Sequence, residues 1–230
     1  MQNALLEIAG ETLEARAAGT LWWPAERLLA VGDLHLGKAR AMARRDQGFL
    51  PPYADEDTLT RLEAEIAALT PSAVLLLGDS FDEHASAAAT AEALAPALER
   101  LGSGRRLLWI AGNHDPRPIP GLPGEALAEY RARRLVFRHI AAAAAPTSGE
   151  GEISAHYHPQ AELWRRGARL RRRCFLACAD RAILPAFGTF TGGMDARDPI
   201  FDALLGSRAA ALMLGRRVTP VPRSRLGAPA

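Results

Sequence analysis

Carboxylate, imidazole and amide side chains recur in short clusters along this sequence: Asp33-x-His35, Gly78-Asp79-x-x-Asp82, Gly112-Asn113-His114-Asp115, a lone His139, and His156-x-His158. These are hard-to-borderline donors, suited to Mn²⁺, Fe or Zn²⁺ and unlike the thiolate set of a structural zinc. Taken singly, each cluster has a plain reading. Gly, Asn and Asp favour turns anyway, and His156-x-His158 could be two histidines on one face of a strand. Their conjunction in this order, with several directly after apolar runs, sets the plain reading aside. Glycine before Asp79 and before Asn113 lets the chain turn sharply there without a Cβ clash.

Donors so far apart in sequence must be gathered by the fold. The apolar runs Leu28–Val31, Ala73–Leu77 and 107–111 each lead into one of the clusters, as buried strands do. Loops at the carboxyl ends of neighbouring strands converge on one crevice. Leu59, Leu62, Ile66 and Leu69 recur at helical spacing, with acids at 55–57 suited to the first turn and Pro71 closing the helix. An alanine-rich helix is expected over 86–101, kinked or shortened by Pro96. Further short strands are expected over 5–8, 12–16, 20–23, 135–137, 153–155, 174–179 and 211–214. The alternation predicts α/β layers, with sheets sandwiched between helices. A single domain is expected over 1–222, with a loose loop at 141–151 and a frayed tail at 223–230.

The ordered clusters match the signature of the calcineurin-like metallophosphoesterases, and the sequence resembles that superfamily. More narrowly, it is similar to the bacterial DNA-ligase-associated phosphoesterases, described as DNA damage response endonucleases. That likeness is carried by Leu21-Trp22-Trp23-Pro24, Asp33-Leu34-His35-Leu36-Gly37-Lys38, Leu50-Pro51-Pro52-Tyr53, Gly78-Asp79-Ser80-Phe81 and the segment 184–193. The resemblance implies a four-layered α/β/β/α sandwich holding two divalent cations, Mn²⁺ foremost and Fe or Zn²⁺ as alternatives. Asp79 would bridge them. Asp33, His35 and His158 would complete one site, and Asn113, His139 and His156 the other. His114 would protonate or stabilise the leaving oxygen, and Asp82 would orient its ring. The implied activity is phosphodiester hydrolysis in nucleic acid, in DNA repair with a DNA ligase and helicase or exonuclease partners, by a homodimer. Two alternatives stand beside it: hydrolysis of small nucleotides or phosphomonoesters at the same centre, or a weakly active DNA-binding scaffold of a ligase complex. The chain departs from the family pattern at Asp82-Glu83-His84, where ligase-associated relatives carry His-Asp, leaving His84 as a displaced candidate. It departs also at Ala155, where glycine is usual, and at Ile140, where Glu-Pro usually follows the histidine.

Composition narrows the rest. An apolar share of 48% and a net charge of +2 suit a well-filled core and give no global sign of a nucleic-acid binder. Arginine does cluster locally, at Arg131, Arg133 and Arg134, and again at Arg165, Arg166 and 169–173. Cationic contacts to phosphate give sequence-independent affinity. Arg131, Arg134, Arg165 and Arg166 are therefore candidate substrate contacts, a solvated face being the alternative. Neither a signal peptide nor a membrane-spanning apolar run is visible, so a soluble, cytoplasmic protein with no membrane partner is expected. Cys174 and Cys178 read as ordinary buried thiols.

Overall fold

The structure is a computed structural model and describes residues 2–165 and 167–227, with main chain alone at Arg165. In chain order its elements are β1 (Ala4–Ile8), β2 (Glu11–Ala15), β3 (Leu21–Trp23), β4 (Leu28–Val31), α1 (Lys38–Arg44), α2 (Ala54–Leu69), β5 (Ala73–Leu77), α3 (His84–Ala93), α4 (Ala95–Gly102), β6 (Arg106–Ile110) and β7 (Glu125–Leu127). Then follow β8 (Tyr130–Ala132), β9 (Leu135–Phe137), β10 (Gly151–Ser154), β11 (Gln160–Arg165), β12 (Ala168–Ala177), β13 (Arg181–Ile183), α5 (Ile200–Leu205), β14 (Ala210–Met213) and β15 (Thr219–Pro222).

Apolar residues on both faces of the central strands dictate the layering. In β5, Ala73, Leu75 and Leu77 face the second sheet, while Val74 and Leu76 pack with Leu59, Leu62 and Ile66 of α2. β4 divides its side chains in the same way, Leu28 and Ala30 inward and Leu29 and Val31 toward the helices. The first sheet runs β1 to β7 in sequence order, antiparallel through β4 and parallel from β4 to β7. The second runs β15-β14-β12-β13-β10-β9-β8, with β11 extending from β12 as a hairpin arm. Phe137, Ile153, Phe175 and Leu212 bring its inner face into the shared core. Its outer face buries Cys174, Leu176 and Ile183 against Phe201 and Leu205 of α5. Helix, sheet, sheet and helix thus form a four-layered sandwich, as the resemblance implied. No helix among the described residues is long and apolar enough to cross a membrane.

Two expectations need revision. The helix expected over 86–101 is two helices, divided at Leu94, and Pro96 stands in the first turn of the second, where its missing N–H costs nothing. The tail expected to fray from residue 223 is held as far as Gly227, whose N–H donates to the Glu162 carbonyl. Arg223 donates to the Ala196 carbonyl at 2.6 Å and pairs with Asp202, and Leu226 is buried in the outer core. The rest of that expected tail, residues 228–230, lies outside the described residues.

The two sheets approach each other closely where β4 and β10 end. Ala155 stands fully buried against Gly32, and a Cβ on Gly32 would lie 2.5 Å from the Ala155 Cβ. Alanine at position 155 is thus accommodated because its neighbour has no side chain. Gly32→Ala is expected to destabilise the protein by about 1–3 kcal/mol through overpacking, and adding Ala155→Gly is expected to restore most of that loss. Urea unfolding of the single and double variants measures both, and equal stability of the two variants would show that the pair is uncoupled.

Candidate metal centre

The polar clusters all sit beyond the carboxyl ends of β4, β5, β6, β9 and β10. Main-chain bonds lace these ends together. Asp33 and His35 donate their N–H groups to the carbonyls of Gly78 and Asp79, and Ala155 donates to the carbonyl of His139. Leu34 and Leu36 anchor the intervening side chains in the helix-side core, which turns Asp33 and His35 the other way. The backbone is left-handed at Asp33, His35, Asp79, His156 and His158, with φ between 46° and 69°. Non-glycine residues adopt that region only where the surroundings enforce it. Gly78 and Gly112 are required by close approach: a Cβ would overlap the His139 ring at the first and the Asp79 main chain and carboxylate at the second.

Three groups of donors result, the third being His35 with Asp82 and His114. In the first, His158 Nε2 lies 3.4 Å from both His35 Nε2 and Asp33 Oδ1. In the second, His139 Nε2 lies 2.9 Å from Asn113 Oδ1, 3.3 Å from Asp79 Oδ2 and 3.3 Å from His156 Nδ1. The opposite ring nitrogens reveal what these atoms are. His139 Nδ1 faces the Leu77 carbonyl at 3.0 Å, and His35 Nδ1 faces the Asp82 carboxylate at 3.1 Å. In the neutral rings the proton therefore belongs on Nδ1, which turns the Nε2 lone pair toward the other acceptors. Acceptors gathered in this way fit divalent cations between them, and the residues present suit two such ions.

The electrostatics divide the histidines. Burial opposes ionisation of Asp79, but the bond and charge of His139, with the N–H of His114, overcome it and hold the carboxyl at about 2. Burial lowers His35 and His156, with neighbouring histidines adding to the effect, which favours the neutral, ligating form. Burial also works against a charged His139, yet its bond to Asp79 raises it overall, so this ring would give up an Nε2 proton in taking a cation. The sequence motif contained Asp115 without giving it a role, and the structure supplies one. Its Oδ1 accepts the N–H groups of Gly112 and Asp79, and its Oδ2 those of Ser80 and Phe81, at 2.8–3.1 Å. One carboxylate thus ties the Asp79 loop to the Asn113 loop. Burial pushes this carboxyl up to about 6 despite those four donors.

His114 is exposed beside the first group, its ring edge-on to His35 at 5.0 Å. Its Nδ1 lies 2.7 Å from the main-chain carbonyl of Asp82. The ring expected to rest on the Asp82 carboxylate is held instead by that carbonyl, because the carboxylate is occupied by His35 and by Lys38, whose Nζ is 3.5 Å away. His84 opens α3 and joins none of these donor groups.

The arginines are dispersed. Arg134 lies beside Gly10, and its neighbour Arg133 pairs with Glu26 and Glu11, at the strand-start end of the sandwich opposite the donors. Strand direction therefore removes Arg134 from the centre. Arg131 sits on the edge strand β8, paired with Glu129 at 2.7 Å. Arg166 and the side chain of Arg165 lie outside the described residues. Arg173, also in the basic run, is half-buried and donates to the carbonyls of Phe187, Gly188, Thr189 and Thr191, and burial lowers it to about 10. It clamps the loop whose Gly188 N–H holds the Asp33 carbonyl.

Residues 26–176 match the family model of the calcineurin-like phosphoesterases. The crystal structure of Pseudomonas putida nuclease MPE is similar at a TM-score of 0.76 and 28% identity, over 96% of this chain and 100% of that one. No curated protein matches by sequence. Asp115→Asn would place an amide N–H₂ against N–H donors and loosen the Asp79 loop. Its affinity for divalent metal is expected to fall by roughly 10–100-fold, the usual effect of losing a ligand's support. Competition of the stripped protein with a chromogenic chelator reads this, and native affinity in the variant would show that the loop is held by other contacts.

Proposed function

From its membership of the calcineurin-like phosphoesterase family, to which the chain belongs, and from the donors gathered beneath His114, we infer a metal-dependent phosphodiesterase acting on nucleic acid. The carrying observation is the convergence of Asp79, Asn113, His139 and His156 as mutually facing acceptors, beside the similar group of Asp33, His35 and His158. Asp33, His35 and His158 would hold one cation and Asn113, His139 and His156 the second, with Asp79 between. Mn²⁺ fits this nitrogen and oxygen set, with Fe or Zn²⁺ as alternatives. Bound there, two divalent ions would activate water for in-line attack and offset charge developing on the phosphoryl oxygens.

The chain's own groups supply the rest. The carbonyl of Asp82 fixes the Nδ1 proton of the exposed His114, leaving Nε2 without a hydrogen-bond partner among the described residues. In the protonated ring that nitrogen would give its proton to the leaving oxygen, the ring then remaining neutral with its proton on Nδ1. The Asp82 carboxylate supports His35, and Lys38 beside it adds a cation at the rim. The nucleic-acid assignment is supported by the similar nuclease from Pseudomonas putida. A role in DNA repair beside a ligase, in the cytoplasm and as a homodimer, follows from the sequence resemblance and belongs to the same proposal.

Metal-stripped protein should cleave neither a chromogenic phosphodiester nor its matching monoester, and resupplied Mn²⁺ should restore the diester in preference. Monoester preference would replace this reading with a small-molecule phosphatase. His114→Ala should retain its metal while turnover falls by roughly 10²–10⁴-fold. Asp79→Asn should lose metal and with it the rise in melting temperature that Mn²⁺ gives the native protein. Elemental analysis and thermal unfolding separate the two, and undiminished diester turnover in His114→Ala would remove the proton-donor role.

A further inference from the structure

Beyond His114 the chain runs through Asp115-Pro116-Arg117-Pro118-Ile119-Pro120 to Gly124 before β7 begins. This proline-rich loop folds over β6 and β7 and encloses a cavity of about 370 Å³. Phe81 and Trp109, their rings 6.2 Å apart and inclined by only 23°, form part of its wall with Ile119 and Leu122. Its polar groups are largely spent. Both Asp115 oxygens accept main-chain N–H groups, and Trp109 Nε1 donates to the Pro123 carbonyl at 2.7 Å. The interior therefore offers apolar surface and few hydrogen bonds. Arg117 lines the cavity, is exposed, and has no partner among the described residues.

The cavity adjoins the metal centre. Ala111 and Ala128 line both it and a groove bounded by Asn113 and His139. A single occupant reaching from the donors into the cavity needs an anionic group at one end and an uncharged apolar body at the other. A nucleotide has that form, a flat aromatic base joined through a sugar to phosphate, and aromatic and aliphatic walls bind such rings whatever their hydrogen-bonding edge.

We propose that this cavity is a base pocket, which takes the nucleobase of the nucleotide bearing the scissile phosphate while Arg117 meets the adjoining phosphate. The proposal rests on the nucleic-acid reading above and adds where the substrate is gripped. It makes the bases beside the cleaved bond a source of affinity, independent of the cations and of the arginine groups in the sequence. It also gives the proline-rich loop a task, since rigid backbone keeps an apolar slot open that would otherwise collapse.

The test is inhibition of methyl p-nitrophenyl phosphate hydrolysis by the full chain with Mn²⁺, comparing 3′- and 5′-deoxynucleoside monophosphates with 2-deoxyribose 5-phosphate. The nucleotide of the favoured polarity is expected to inhibit about tenfold or more strongly than the sugar phosphate, which lacks the base. Leu122→Trp and Ala126→Trp fill the cavity from different sides and should bring that ratio toward one. Taking the ratio within each variant cancels any general loss of activity. Equal inhibition in the native protein, or a ratio that survives both substitutions, overturns the proposal. Saturation-transfer NMR of thymidine with metal-stripped protein reads the same pocket without turnover, and its signal should vanish in both variants. If the methyl ester were not cleaved at all, the phosphodiesterase reading would fall, and the NMR comparison alone would decide the pocket: native transfer lost on filling supports it, absent transfer overturns it.

Discussion

Lone pairs forced to face one another are the constraint on which this molecule is organised. At the ends of two sheets, Asp79, Asn113, His139 and His156 crowd their acceptor atoms within hydrogen-bonding distance, although the ring protons of His35 and His139 are directed elsewhere. In an ordinary core such an arrangement would relax, because buried polar groups without partners cost free energy. Here it is held against relaxation. The left-handed residues Asp33, His35, Asp79, His156 and His158 each carry backbone strain of about 1–3 kcal/mol. That strain persists because the neighbouring main-chain bonds over-determine the loops.

The restraints come from both sheets. Asp115 joins the β5 and β6 loops with a single carboxylate, and the carbonyl of Leu77 sets the His139 ring from across the sandwich. Asp33 accepts the N–H of His156, so a donor of one sheet fixes the loop of the other. Arg173 reaches four carbonyls around Gly188 and so braces Asp33 from behind. Without the packed interface of Phe137, Ile153 and Phe175 against Leu28, Leu75 and Leu108, those cross-sheet bonds would have no common frame. Burial of the apolar core and placement of the donors are thus one requirement: rigid, parallel strand ends on a single side.

What was legible in the sequence was whatever local pattern dictates. Apolar runs ending in Gly-Asp and Gly-Asn announced β5 and β6, and helical spacing announced α2. The donors themselves stood out because carboxylates and histidines rarely follow buried strands without reason. Strands with exposed polar faces were silent: β7, β8 and β11 carry no apolar run and owe their existence to pairing with β6, β9 and β12. The place of Arg134 was hidden for a related reason. It is near His139 in sequence, but β9 carries the chain from one end of the sandwich to the other between them. Only strand direction, a long-range property, separates the two. Pro96 was read as a disturbance within a helix, whereas tertiary packing uses it to start a new one.

Asp82 shows how a role can be read correctly in outline and differently in atoms. A carboxylate behind a catalytic histidine would orient the ring and also favour its charged form. In this chain the carboxylate serves His35 instead, an arrangement that fixes a ligand's tautomer and strengthens its lone pair. The main-chain carbonyl of the same residue takes His114. A carbonyl orients the ring as well as a carboxylate does, by accepting its Nδ1 proton. The proposed proton donor is thereby held in place, while the proposed ligand beside it keeps its Nδ1 proton directed at a carboxylate and is favoured in its neutral form by burial. One residue, through two different oxygens, thus orients two histidine rings 5.0 Å apart toward two different proposed tasks.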